Sequence, residues 1–417
     1  MVPRALLLRG LLPALLVCLT FPVLLRAQGT PPPEDWIERL REAEARLAAL
    51  EGDAPPSEEG AGRVALGGYF DLEYRDGQGA DPSFVQHRFV PQIDAAIGAG
   101  LHFSAEIEFE YGATDSARGD GETKVEFAAL DWELAEGFTL RAGALLVPLG
   151  RFNEKHDSPL NDFTDRPLLA RSVIPTTLTD AGVGGLGAFE VGEEGVVSWE
   201  LYLLNGFVGL EADADAATGL ASNFDTTSGL RGGRPSLKRD GSRGIAGAGR
   251  VEWSPRLGIE LGVSAHHGAY DADGERDLLI AALDFDLVGA ALAAPLAGFE
   301  LNGEVARAEI SRDRVARESG VPDDLWGFSL EVNRHFLLGG SAALGPLPLP
   351  PGSAVTAAVR LEHVELGAER EERITIGLNL RPIEETVFKL DYQFHFEDGD
   401  HRREENDAIL LSIASYF

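Results

Sequence analysis

From Val64 onward, apolar and polar residues alternate with a period of two. In Val64–Tyr74 the even positions Leu66, Gly68, Phe70, Leu72 and Tyr74 are apolar or small, whereas Asp71 and Glu73 are odd. In Leu101–Tyr111 the phase is reversed, with Leu101, Phe103, Ala105, Ile107, Phe109 and Tyr111 set against His102, Ser104, Glu106, Glu108 and Glu110. Arg373–Arg381 and Phe388–Phe396 repeat the pattern. Such alternation marks strands with one apolar and one wet face. Sixteen segments of this kind begin near residues 64, 84, 101, 124, 138, 182, 196, 245, 257, 278, 299, 326, 353, 372, 386 and 406. The spacing predicts tight turns after strands two, four, six, eight and fourteen, at Gly98–Gly100, Glu136–Gly137, Glu193–Gly195, Ser254–Arg256 and Pro382–Glu385. Longer polar loops follow the odd strands, among them Arg151–Ala181 and Gly206–Gly241. Gly289–Gly298 and Leu337–Gly352 are longer than the other short-side turns, and a phase slip near Phe127–Ala128 predicts a bulge.

An even strand count with short turns on one side and long loops on the other fits a transmembrane barrel. The aromatic residues separate that reading from a soluble sandwich, which buries its rings mid-strand between two sheets. Trp132, Trp199, Trp253, Phe299, Phe388 and Phe417 fall at the short-turn ends of apolar faces. Tyr74, Tyr111, Trp326 and Phe396 fall at the long-loop ends, so the rings form two girdles one strand length apart. The expected fold is all-β: a 16-stranded antiparallel transmembrane β-barrel over residues 63–417. The closing residues Ile409, Leu411, Ile413 and Phe417 look like a terminal strand read by the outer-membrane assembly machinery.

The segment before the barrel has a different pattern. Arg4 and Arg9 precede the apolar run Leu11–Leu24, and Ala27 offers a small residue for cleavage, so residues 1–27 read as a signal peptide. Within residues 28–62, Trp36, Leu40, Ala43, Leu47 and Leu50 recur at coiled-coil spacing, and Glu51–Gly62 reads as a linker. Two heptads form either a helix packed on its own protein or an oligomerising stub.

Composition narrows the function. The chain of 417 residues carries 36 Lys+Arg against 68 Asp+Glu, a net charge of −32, which excludes non-specific nucleic-acid binding. Its single cysteine, Cys18, lies in the predicted signal peptide, so disulfides cannot stabilise the mature chain. No nucleophile stands beside a base and orienting partner, so the expected catalytic set is empty and the protein is not expected to be an enzyme. His266 and His267 are adjacent on a strand and point to opposite faces. His395, near Asp398, Asp400 and His401, reads as part of a charged loop tip, and Glu211–Asp215 lacks a full Ca²⁺ pattern. No cofactor and no metal are expected.

The stretch LRAGALLVPLGRFNEKHDSPLNDFTDRPLLARSVIPTT (Leu140–Thr177) is similar to the phosphate-selective porin O and P family. So are GRVEWSPRLGIELGVSAHHGAY (Gly249–Tyr270) and RITIGLNLRPIEETVFKLDYQF (Arg373–Phe394). The resemblance covers nearly all of Ala61–Phe417. It implies an outer-membrane channel among lipids, commonly a homotrimer, with the third long loop folded into the pore and small hydrophilic solutes or ions as cargo.

A sixteen-stranded barrel is wide enough for an aqueous channel, so the charges of its wall would set selectivity. Strand phase places Glu106, Glu108, Arg141, Arg250, Arg360, Arg373 and Lys389 on the lumen, together with Arg88 and Arg381. Counted over the strands, lumen carboxylates outnumber bases about two to one, which argues against a contiguous basic ladder. The constriction candidates are Arg141 and, on loop 151–181, Arg151, Lys155, Asp157, Asp162, Asp165, Arg166 and Arg171. These charges would either set a transverse field across the pore or pair among themselves. The expected function is passive diffusion of small hydrophilic solutes; the alternatives are an anion-selective channel and a non-conducting structural or adhesion barrel.

Overall fold

The computed structural model describes residues 63–113, 121–237, 244–339, 343–344, 347–398 and 406–417. The expected signal peptide, the coiled-coil helix and the linker lie outside the described residues. Sixteen strands close into one barrel: β1 Arg63–Gly77, β2 Ser83–Gly98, β3 Leu101–Glu110, β4 Glu122–Ala135, β5 Phe138–Leu146, β6 Thr179–Val191, β7 Gly195–Leu204 and β8 Ala246–Arg256, then β9 Ile259–Ala269, β10 Asp277–Val288, β11 Phe299–Ile310, β12 Leu325–Leu337, β13 Ala354–Leu366, β14 Glu369–Ile383, β15 Thr386–Asp398 and β16 Ala408–Tyr416. Each strand pairs antiparallel with its sequence neighbour, and β1 closes the ring against β16 through Tyr69 opposite Tyr416. Closure leaves no unpaired sheet edge, the condition for strands to span a bilayer.

The alternation sorts the two faces as the sequence indicates. Leu66, Phe89, Leu130, Leu201, Val263, Leu283 and Leu411 are exposed on the outside, as are Trp132, Trp253, Phe388 and Phe417 of the short-turn girdle. His267 is exposed outside while His266 is buried inside.

Three local expectations are corrected. β8 continues through Ser254–Arg256, and the turn falls on Leu257–Gly258, where Gly258 takes φ 80°. The connection after β13 is not a long loop but a two-residue turn at Gly367–Ala368, because β13 and β14 stay paired out to Leu366 and Glu369. The bulge in β4 comes one residue earlier than the pattern suggested: Glu106 faces Phe127 and Ile107 faces Val125, so the extra residue is Glu126. A second bulge makes His87 the extra residue of β2 opposite Asp71 and Leu72.

At the long-loop end the inner face is dry on one side. Leu168, Leu169, Val173 and Ile174 pack with Phe207, Phe224, Tyr270, Leu278, Ile280 and Leu325 into one buried cluster. In β10 both faces are therefore apolar: Leu278 and Ile280 inward, Leu279 and Leu283 outward.

Candidate functional site

The chain between β5 and β6, residues 147–178, turns into the barrel. Its neck is closed by the Val147 N–H donating to Leu178 O at 2.9 Å. The buried Asn153 clamps both ends: Nδ2 donates to Val147 O (2.8 Å) and Leu178 O (3.3 Å), and Oδ1 accepts from the Leu178 N–H at 2.8 Å. Gly150 makes the entry possible. It adopts φ 72°, its N–H donates to Ser264 Oγ at 2.9 Å, and a Cβ there would fall 2.0 Å from Glu304 Oε1. Two short helices follow, α1 Arg151–Glu154 and α2 Leu168–Ser172.

The loop's first turn meets an acidic wall. Arg151 pairs with Asp286 at 2.6 Å, Lys155 with Glu260 at 2.5 Å, and Glu154 with Arg250 at 3.0 Å. The Phe152 N–H donates to Glu304 Oε2 at 3.0 Å. Arg250 also reaches over Gly262 to a bidentate contact with Asp284 (2.6 and 2.7 Å); a Cβ at Gly262 would lie 2.4 Å from both partners.

The loop's acids go to the opposite wall. Asp162 is 3.4 Å from Arg381 and accepts from Asn379 at 3.0 Å. Asp165 meets Arg75 at 2.8 Å and Arg373 at 3.5 Å, and accepts from Gln393 at 3.1 Å. Burial alone would push the Asp165 carboxyl up, but Arg75, Arg373 and Arg171 outweigh it and hold it well below the usual carboxylate range. Asp157 accepts from Tyr416 Oη at 2.8 Å. Arg373 binds Glu362 at 2.7 Å, and Glu362 Oε1 accepts from the Leu168 N–H at 2.9 Å. Lys389 donates to Ser158 O and Phe163 O, and Arg360 donates to Asp165 O while lying 4.6 Å over the Phe163 ring. Arg141 stands apart from the loop, bidentate to Asp131 at 2.7 and 2.8 Å.

Neither expected charge pattern is what the geometry displays. The loop's closest ion pairs are neither across a gap nor, apart from a 4.0 Å approach of His156 to Asp157, within the loop. Arg151 and Lys155 pair with one wall, where Glu154 also meets Arg250, and Asp162 and Asp165 pair with the other, because wall and loop carry complementary patterns. All sixteen strands carry at least one inward side chain less than 10 % exposed, Asp71, Arg88, Glu108, Ser264, Asn333 and Arg373 among them. Arg166 is the exception in the loop. Nη1 donates to Thr176 O, while Nε and Nη2 are buried without hydrogen-bond partners among the described residues. Burial and the neighbouring Arg88 pull its pKa down to about 10. Arg171 is exposed, and its charge is felt at Arg231, which is lowered by burial, Arg234 and Arg171.

Arg75, Lys124, His87 and Glu126 are among the lumen groups that escaped the strand-phase assignment. Arg75 and Lys124 follow the inward parity of Glu73 and Glu108 and were legible as such; Lys124 is 2.5 Å from Glu108, which also meets Arg88 at 2.6 Å. His87 and Glu126 sit on the two bulges, where parity fails. Glu126 reaches Thr177 Oγ1 (2.7 Å) and His156 (3.4 Å) on the loop.

The fold is that of the sixteen-stranded outer-membrane porins. The channel DcaP of Acinetobacter baumannii superposes with a TM-score of 0.53 at 10 % identity, over 87 % of this chain and 99 % of that one. The anion-selective porin of Comamonas acidovorans gives 0.52 at 13 % identity over 86 % and 100 %. The trimer form of the Vibrio cholerae outer-membrane protein OmpT gives 0.50 at 9 % identity over 86 % and 100 %. In sequence, an uncharacterized protein of Aquifex aeolicus is 30 % identical over 219 residues, 51 % of this chain and 46 % of its own; the match therefore spans about half of that relative. No family model matches the chain.

Proposed function

We propose that the protein is an outer-membrane porin, a passive diffusion channel for small hydrophilic solutes and ions whose constriction is the loop 151–181. The observation that carries this reading is the strut-like loop: it crosses the lumen and is fixed to both walls by Arg151–Asp286 on one side and Asp165–Arg75 on the other. A loop anchored in that way narrows the barrel while leaving charged side chains for water and solutes to pass. The porin fold supports the outer-membrane location and a homotrimer, and the mature barrel domain is taken as 63–417. Planar-bilayer recording of pure protein tests it: discrete ion steps are expected, and a silent bilayer would overturn the channel.

Two observations favour finer alternatives. Arg171, Arg231 and Arg234 gather at the long-loop mouth, the feature an anion-preferring or phosphate-selective channel would use. The dry cluster around Phe207 and Phe224 blocks one side of the same end and favours a barrel of low conductance. Reversal potentials in asymmetric KCl separate the first, and single-channel amplitude the second.

A further inference from the structure

The long-loop end of the lumen gathers a second set of side chains that the constriction does not use. Glu371, His395 and Glu397 each present one ligand atom, and the three atoms lie within 4.8 Å of one another. The register explains the grouping: Glu371 stands opposite Glu397 and Arg373 opposite His395, so all three residues share the inner face. Two carboxylates placed directly across an antiparallel pair repel. Asn406 Nδ2 donates to Glu397 Oε1 at 2.6 Å and Arg373 stands nearby, and a cation bound directly between the two carboxylates would relieve the repulsion further.

The imidazole gives independent support. The His395 side chain is only 10 % exposed. Its Nε2 lies 3.3 Å from Gln393 Oε1, and Gln393 is oriented from its other end by donating Nε2–H to Asp165 Oδ2 at 3.1 Å. An amide oxygen only accepts. The proton of the neutral ring therefore sits on Nε2, which leaves the Nδ1 lone pair turned toward Glu371 Oε1 at 3.4 Å. Nδ1 is buried and has no hydrogen-bond partner among the described residues. A lone pair facing a carboxylate is stable only with a proton or a metal ion between them. An amide and a carboxylate lined up behind the far ring nitrogen are also how metal-binding histidines are held in their tautomer.

We propose that Glu371, His395 and Glu397 form a divalent transition-metal site at the long-loop mouth, linked through Gln393 to Asp165 of the folded-in loop. One imidazole nitrogen with two carboxylate oxygens suits Zn²⁺ rather than Ca²⁺ or Mg²⁺, which favour oxygen-only sets. Three protein ligands leave a coordination position open, so the ion exchanges with the medium. The other cluster of ligand-type groups, Asp71, Glu73 and His87, is a poorer candidate. Both of its carboxylates are already engaged: Arg75 holds Glu73 at 2.6 Å, and the Arg88 N–H donates to Asp71 at 2.7 Å.

The test is calorimetric titration of the full chain, folded in detergent, with Zn²⁺ alone and with Ca²⁺ as the control. One Zn²⁺ per chain is expected, bound at least tenfold more weakly by both His395→Ala and Glu371→Gln. Gln393→Leu removes no ligand and should still weaken binding by about 10- to 100-fold through the lost orientation. His87→Ala should change nothing. Heat-shifted gel migration confirms that each variant retains its barrel; the three substitutions are read separately, so one misfolded variant leaves two to decide. Absence of Zn²⁺ binding, equal binding in wild type and the Glu371→Gln and Gln393→Leu variants, or equally tight Ca²⁺ would overturn the site.

Discussion

Arg151 meets Asp286 at 2.6 Å, and four residues further along the loop Lys155 meets Glu260 at 2.5 Å. Both wall carboxylates face each other across neighbouring strands, Glu260 on β9 directly opposite Asp286 on β10. The loop's two bases thus neutralise a like-charged pair that would otherwise repel.

Replacing both bases, Arg151→Gln with Lys155→Gln, is expected to release the loop's first turn and restore two negative charges to the lumen. Cation preference should then rise in asymmetric KCl, and current noise should increase. An unchanged reversal potential would mean that solutes do not pass the Glu260–Asp286 wall.

Asn153 is the clamp of the loop neck. Asn153→Leu leaves Val147 O and Leu178 O without its donors and the Leu178 N–H without its acceptor, a loss of about 1–3 kcal/mol for buried polar groups left unpaired. The barrel should survive, with its loop cut sooner by added protease. Protection equal to wild type would place the closure elsewhere.

Three neighbouring positions on β3 test the wall. Glu106 makes no ion pair among the described residues, so Glu106→Gln should weaken cation preference and leave folding intact. Glu108 lies buried between Arg88 and Lys124, and Glu108→Gln leaves them, among the described residues, only the longer contacts to Glu110 (3.5 Å) and Glu126 (4.0 Å), at a cost of up to about 3 kcal/mol. Parity alone does not separate the two changes, because it records the face but not the partner. Ile107→Arg turns a charge outward and should cost about 2–4 kcal/mol near the bilayer midplane. Urea unfolding in lipid vesicles ranks the three; an Ile107→Arg variant as stable as Glu106→Gln would place that face in water.

The barrel was legible because a strand with one wet face writes its orientation into every second residue. All sixteen segments correspond to strands, and Arg88, Arg250, Arg360, Arg373, Arg381 and Lys389 lie on the inner face. The bulges at His87 and Glu126 were less legible, since one inserted residue reverses parity without changing composition. The dry cluster had a signal that went unread: Leu278 and Ile280 occupy inward positions of β10 beside outward Leu279 and Leu283, and apolar residues on both faces mean that the inside is packed. The pairing of Asp165 with Arg75 and Arg373, separated by 90 and 208 residues, left no trace in local pattern at all. It depends on how deeply the loop descends.

Phosphate offers the sharpest test of the mouth. Arg171, Arg231 and Arg234 are near enough to raise the local anion concentration, but they are at least partly exposed and therefore keep their own water. Replacing the hydration of phosphate requires several fixed donors aimed at one point. Arg166 has such donors, but they are buried behind Thr176 and beside Arg88, out of the path. Millimolar phosphate is therefore expected to leave chloride conductance unblocked. Arg171→Gln with Arg231→Gln should lower the anion-to-cation permeability ratio by less than about tenfold, as expected for steering by solvated charges. Raising KCl toward 1 M should erase that difference, because the screening length then falls to about 3 Å. A saturable phosphate block that survives high salt and disappears in Arg166→Gln would show that the buried guanidinium opens onto the pore.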